Sequence, residues 1–119
     1  KTVKNLNYIK SNYNNNAKFK LIQGNSYFDI TEEKFKQECD FPIDLLFIDG
    51  DHTFDGVKND FERYSKYVKK NGYIIFDDYH HEIIKKYCDT LFNNNNNYEV
   101  ITKFKTYNSE AIDLLVKKL

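Results

Sequence analysis

Two apolar runs in this chain end in acid. Leu45 to Ile48 lead into Asp49, and Tyr73 to Phe76 lead into the pair Asp77 and Asp78. A buried strand gains nothing from closing on adjacent carboxylates, which repel each other and cost free energy to desolvate. If the two strands are neighbours, their acidic ends lie about one strand spacing, roughly 4.8 Å, apart. Three hard oxygen donors then converge, a set suited to Mg²⁺ or another divalent cation, whose charge offsets the repulsion. His52 follows Asp49 by three residues and falls in the loop over the same edge, where an imidazole can act as a general base near neutral pH. Asp51 is the alternative base, although Asp51 or Thr53 can equally cap the helix that starts at Phe54. His80 and His81 read mainly as solvent-facing, and Tyr79 as a core or rim aromatic. Asp49 and Asp51 also form a D-x-D triplet, the kind that holds a metal between nucleotide-sugar phosphates, so a metal-dependent glycosyltransferase is an alternative reading.

These residues need elements to position them. Phe54, Val57, Phe61, Tyr64 and Val68 follow steps of three and four, which predicts a four-turn helix with one apolar stripe. Lys70 to Gly72 supply a cation and a glycine where that helix should stop. Strands are predicted at Phe19 to Gln23, Ile43 to Asp49, Tyr73 to Asp78, Tyr98 to Phe104 and Ala111 to Leu119, the last two an antiparallel pair joined by Lys105 to Glu110. Helices are predicted over Thr2 to Ser11, over Ile30 to Cys39 behind an Asp29/Glu32 capping box, and along the Ile83, Ile84, Tyr87 and Leu91 stripe. Alternation of strand and helix implies an α/β fold: a mostly parallel, Rossmann-like sheet with a carboxyl-terminal antiparallel hairpin. Successive strands should lie side by side, with their carboxyl ends on one edge where ligands bind.

The chain has 119 residues, enough for a single domain over residues 1–119 but short for most complete enzymes. Aromatic residues make up 17% of it, which argues for a folded globule despite a mean hydropathy of -0.75. Lys plus Arg and Asp plus Glu balance at 18 each, so no net field draws it toward nucleic acid or an anionic membrane. No apolar run reaches the roughly 20 residues of a membrane span, and a cytoplasmic location is the expectation. Cys39 and Cys88 are far apart and read as buried thiols in a reducing compartment. The asparagine runs at Asn14 to Asn16 and Asn93 to Asn97 read as surface loops. A start at Lys1 rather than Met suggests an upstream portion.

The stretch from Ile43 to His81, with "IDGDHTF" and "DDYHH", resembles class I S-adenosylmethionine-dependent methyltransferases, in the subgroup whose fourth and fifth strands end in IDGDH and DDY. "IQGNS" (Ile22 to Ser26) resembles, more loosely, the turn that lies against the adenine in that family. The resemblance implies an S-adenosylmethionine cofactor contacted by Gly24, Asn25, Ser26 and Asp49, and a divalent metal on Asp49, Asp77 and Asp78. It puts His52 or Asp51 in the place of the base. The implied reaction is metal-assisted O-methylation of a small-molecule hydroxyl, with a small-molecule acceptor as partner, no nucleic acid or membrane, and a homodimer left open. The family's glycine-rich turn after strand one and its acidic residue after strand two have no counterpart, so the chain is expected to be a partial domain lacking the first two strands. A non-catalytic, truncated module is the remaining alternative.

Overall fold

The computed structural model describes residues 19–105 and 110–119. The helix expected at Thr2 to Ser11 lies outside them. The chain divides into two compact units, residues 1–39 and 40–119.

In the first unit, Phe19 to Gln23 form no strand. A strand is completed by ladder hydrogen bonds, and this segment has no partner ladder among the described residues. Helix α1 (Asp29–Glu38) starts one residue earlier than the capping-box reading required. Its N-cap is Phe28, which offers no side-chain cap, so Asp29 and Glu32 lie inside the first turn. There they act through the favourable sign of the helix dipole instead.

The second unit holds the sheet. Strand β1 (Ile43–Ile48) is followed by helix α2 (Phe54–Tyr64), a short 3₁₀ turn (Ser65–Tyr67) and strand β2 (Val68–Phe76). Helix α3 (Glu82–Phe92) then leads to β3 (Tyr98–Lys105) and β4 (Ile112–Lys118). The α/β class and the carboxyl-terminal hairpin are as expected. The sheet is mixed: its order is β1-β2-β4-β3, with β1 and β2 parallel and β4 antiparallel to both neighbours. Successive strands are therefore not all adjacent, because β4 turns back from β3 and fills the position beside β2.

Lys70 to Gly72 do not end a helix. They lie within β2, where three residues of β1 (Ile43 to Leu45) face six of β2 (Val68 to Tyr73). Asn71 adopts a left-handed φ of 68°, and a Cβ on Gly72 would sit 2.9 Å from the Lys69 carbonyl oxygen and 3.0 Å from that of Asp44. Asparagine and glycine are the residues that accept such a bulge. Val68 accordingly belongs to the strand, and α2 is a turn shorter than its stripe suggested.

Alternate residues of the strands build the core. Ile48, Ile74, Phe76, Leu114 and Val116 pack with Val57 and Phe61 of α2 and with Ile84, Tyr87 and Cys88 of α3. Phe61 is its centre, with ring centroids 5.3 Å from Tyr98 and 5.8 Å from both Phe76 and Phe92. The intervening residues Leu45, Phe47 and Tyr73 are exposed. Cys88 is buried as expected, whereas Cys39 is only half-buried.

Candidate functional site

The parallel pairing of β1 and β2 brings both acidic strand ends to one edge. The ladder continues one residue past the strands, with the Asp77 N–H donating to the Ile48 carbonyl at 3.0 Å. Because β4 runs antiparallel to β2, its start lies at the same edge, and Leu114 pairs with Phe76. Asp113, the preceding residue, is 2% exposed, and its Oδ1 accepts the Asp78 N–H at 3.2 Å. Asp78 itself has a left-handed φ of 54°.

Four aspartates and a histidine gather here. One donor atom each from Asp49, His52 and Asp78 lie within 4.8 Å of one another. The His52 Nε2 is 3.1 Å from Asp78 Oδ2, with the two side chains 41% and 27% exposed, so the group is open to a ligand. The carboxyl of Asp77 is hydrogen-bonded to those of Asp49 and Asp113. Desolvation, the hydrogen bond with Asp77 and the charges of Asp77 and Asp78 raise the pKa of Asp49, against a smaller opposing effect of His52. Asp77 is raised too, by desolvation first and then by Asp113 and Asp78, while its bond to Asp49 opposes. Nearby, the His81 ring is 5.1 Å from that of His52, and its Nδ1 is buried without a hydrogen-bond partner among the described residues.

Asp51 is turned elsewhere. Its two oxygens accept the N–H and the hydroxyl of Thr53, both at 3.0 Å, and Thr53 in turn caps α2 by accepting the Gly56 N–H. A Cβ on Gly56 would stand 2.7 Å from Asp51 Cβ, so the first turn of α2 is pressed against this aspartate. Of the D-x-D triplet, only Asp49 joins the acidic group. His80 is exposed, as expected, but its Nδ1 accepts the Ile112 N–H at 3.1 Å and lies 3.9 Å from Asp78 Oδ1. Tyr79 is a core residue.

In the first unit, Gly24, Asn25 and Ser26 form the turn before α1. The Asn25 side chain accepts the Tyr27 N–H at 2.9 Å, and a Cβ on Gly24 would meet Thr31 Oγ1 at 2.6 Å. Asp113 is the site residue that sequence reasoning missed. Its only signal was an acid between Ile112 and Leu114, on the strand face that also carries Leu115 and Lys117.

A family model described as a methyltransferase domain matches residues 3–79. A 37-residue stretch is 68% identical to an uncharacterised protein of Acanthamoeba polyphaga mimivirus, covering 31% of this chain and 17% of that protein. Among solved structures, a Clostridium thermocellum protein assigned as an rRNA methylase aligns over 74% of this chain and 57% of its own, at 11% identity and a TM-score of 0.46. The chain thus spans less than two thirds of either relative. Among the described residues, no helix is long and apolar enough to cross a membrane.

Proposed function

Because the chain belongs to the methyltransferase-domain family, we propose that it acts in S-adenosylmethionine-dependent methyl transfer to a small-molecule hydroxyl, assisted by a divalent cation at its acidic strand ends. The observation that carries this reading is the convergence of Asp49, His52 and Asp78 donor atoms within 4.8 Å. The donor set fits such a cation: two carboxylates and an imidazole are hard to borderline ligands, and a dication relieves the mutual repulsion that, after desolvation, helps raise Asp49 and Asp77. Asp49 and Asp78, with Asp77, would hold it. A bound cation lowers the pKa of a nearby hydroxyl and so prepares it for attack on the methyl group.

The chain's own groups supply the rest. Asp78 accepts from one imidazole nitrogen of His52, which fixes the tautomer and leaves the other nitrogen as a proton acceptor. His52 is thereby the better base, since Asp51 is spent on the cap of α2. Transfer of the methyl from the sulfonium to oxygen is in-line, and the sulfonium is already reactive, so holding the two partners in line supplies most of the acceleration. Gly24, Asn25 and Ser26 are assigned to the adenine side of the cofactor on the family resemblance alone.

The same geometry favours a second role for His52, as the third cation ligand in place of Asp77. Titration calorimetry with Mn²⁺ on the native chain, His52→Ala and Asp77→Ala separates the two. As base, His52→Ala keeps its cation affinity and Asp77→Ala loses tenfold or more, about 1.4 kcal/mol; as ligand, the order reverses. No heat with any of the three removes the cation from the proposal, and no heat with S-adenosylmethionine removes the cofactor from this chain.

A further inference from the structure

Beside the acidic group, on the outer side of Tyr79, lies an open cleft of about 550 Å³, within the size range of small-molecule sites. It adjoins the proposed cation site through His80, which lines the cleft and has its Nδ1 3.9 Å from Asp78 Oδ1. Its charge is opposite to that of its neighbour. Lys85 on α3 and Lys103 and Lys105 on β3 all reach into it. Lys85 is paired with Asp89 at 2.6 Å and Lys105 with Glu110 at 3.4 Å. Among the described residues Lys103 makes no direct ion pair, although its charge acts on Asp89, and its ammonium lies 5.0 Å from the centre of the Tyr79 ring, with that of Lys85 at 5.2 Å. The Nδ1 of His80 accepts the Ile112 N–H, so the proton of the neutral ring is on Nε2, which adds a donor to the lining. Phe104 and Ile112 give the cleft an apolar wall.

We propose that this cleft seats the methyl acceptor, and that the acceptor is a small molecule with an apolar body and one anionic group, a carboxylate or a phosphate. The body lies against Phe104 and Ile112, the anion is held by Lys103 with Lys105, and the reacting hydroxyl is delivered past His80 to the acidic edge. Lysine ammonium groups bind such anions as point charges through charge-assisted hydrogen bonds. The acceptor assignment rests on the methyl-transfer reading; the anion site does not.

Phenyl phosphate serves as probe, with benzyl alcohol as its neutral counterpart and inorganic phosphate as the anion without a body, each titrated into the ¹⁵N-labelled chain and followed by NMR. Phenyl phosphate should shift the amides of Lys103, Phe104 and Ile112 and bind roughly tenfold more tightly than either control, an advantage that Lys103→Gln removes. Lys103→Gln replaces an exposed side chain, so the fold survives it. Equal binding of phenyl phosphate and benzyl alcohol, an unchanged affinity in Lys103→Gln, or shifts confined to Leu45 and Phe47 would overturn the proposal and leave the lysines as counter-charges to the acidic edge. The probe needs neither cofactor nor cation. Binding of S-adenosylmethionine without binding of phenyl phosphate therefore removes the cleft alone. The converse result keeps the anion site and overturns the acceptor assignment.

Discussion

Replacing Asp49 with asparagine should make the cation-free protein more stable, although it removes a residue of the proposed site. Donor oxygens of Asp49 and Asp78 lie within 4.8 Å, so two unit charges there repel by about 0.9 kcal/mol at the dielectric of water and about 3.5 kcal/mol at an effective value of ~20. Asp49 is exposed, so solvent screening puts the relief near the lower bound, and Asp77 adds a contribution of the same sign. A gain of about 1 to 2 kcal/mol is expected, which at a urea m-value of about 1 to 1.5 kcal/mol/M moves the midpoint up by roughly 1 M. The measurement is urea unfolding at low salt, with chelator present, at pH 8, above the range where imidazoles ordinarily titrate. Added Mg²⁺ should reverse the order. At 100 times its Kd it stabilises the native chain by about 2.7 kcal/mol, and the variant by much less. A variant less stable than the native chain in chelator, or equal stabilisation of both by Mg²⁺, would refute the idea that these carboxylates are held in mutual repulsion for a cation.

Three more expectations follow from the same structure. Since the folded pKa values of Asp49 and Asp77 are raised above the ordinary 3.8, the native state binds more protons than the unfolded one just above that value, so cation-free stability should fall as pH rises through the raised values. Comparison with Asp77→Asn in chelator isolates this slope, and parallel profiles would contradict it. The Cys88 thiol is 1% exposed and pushed up to about 12, by burial first and the Asp89 charge second, so a thiol reagent should modify Cys39 in the native protein and reach Cys88 only on unfolding. Phe61→Ala empties the centre of the aromatic core and should cost about 3 to 5 kcal/mol in urea unfolding; a cost below about 1 kcal/mol would mean that Phe76, Phe92 and Tyr98 close the space.

What the sequence made legible is what repeats with a period. The β1 and β2 runs, the Phe54–Val57–Phe61 stripe and the final hairpin are all visible because burial imposes alternation or steps of three and four. Lys70 to Gly72 misled because asparagine and glycine serve a helix stop and a strand bulge equally well, and only pairing with β1 decides which. Phe19 to Gln23 have the composition of a strand, yet a strand is a relation between segments. The acidic edge was legible at Asp49, Asp77 and Asp78, each at the end of a run. Asp113 was not: it looks like one more polar residue in an alternating strand until β4 is placed next to β2, a neighbourhood fixed by the return of the hairpin.

The left-handed backbone at Asp78 limits what evolution can try there. At φ 54° the low-cost alphabet shrinks to glycine, asparagine and aspartate. Glutamate, which would keep the charge, has to fight the main chain. Two of those three letters carry a side-chain oxygen, and they differ by one unit of charge. A single nucleotide change, aspartate codon to asparagine codon, can therefore change the charge of this edge by one unit without repacking a neighbour, which makes position 78 a dial that descendants of this sequence can turn in small steps.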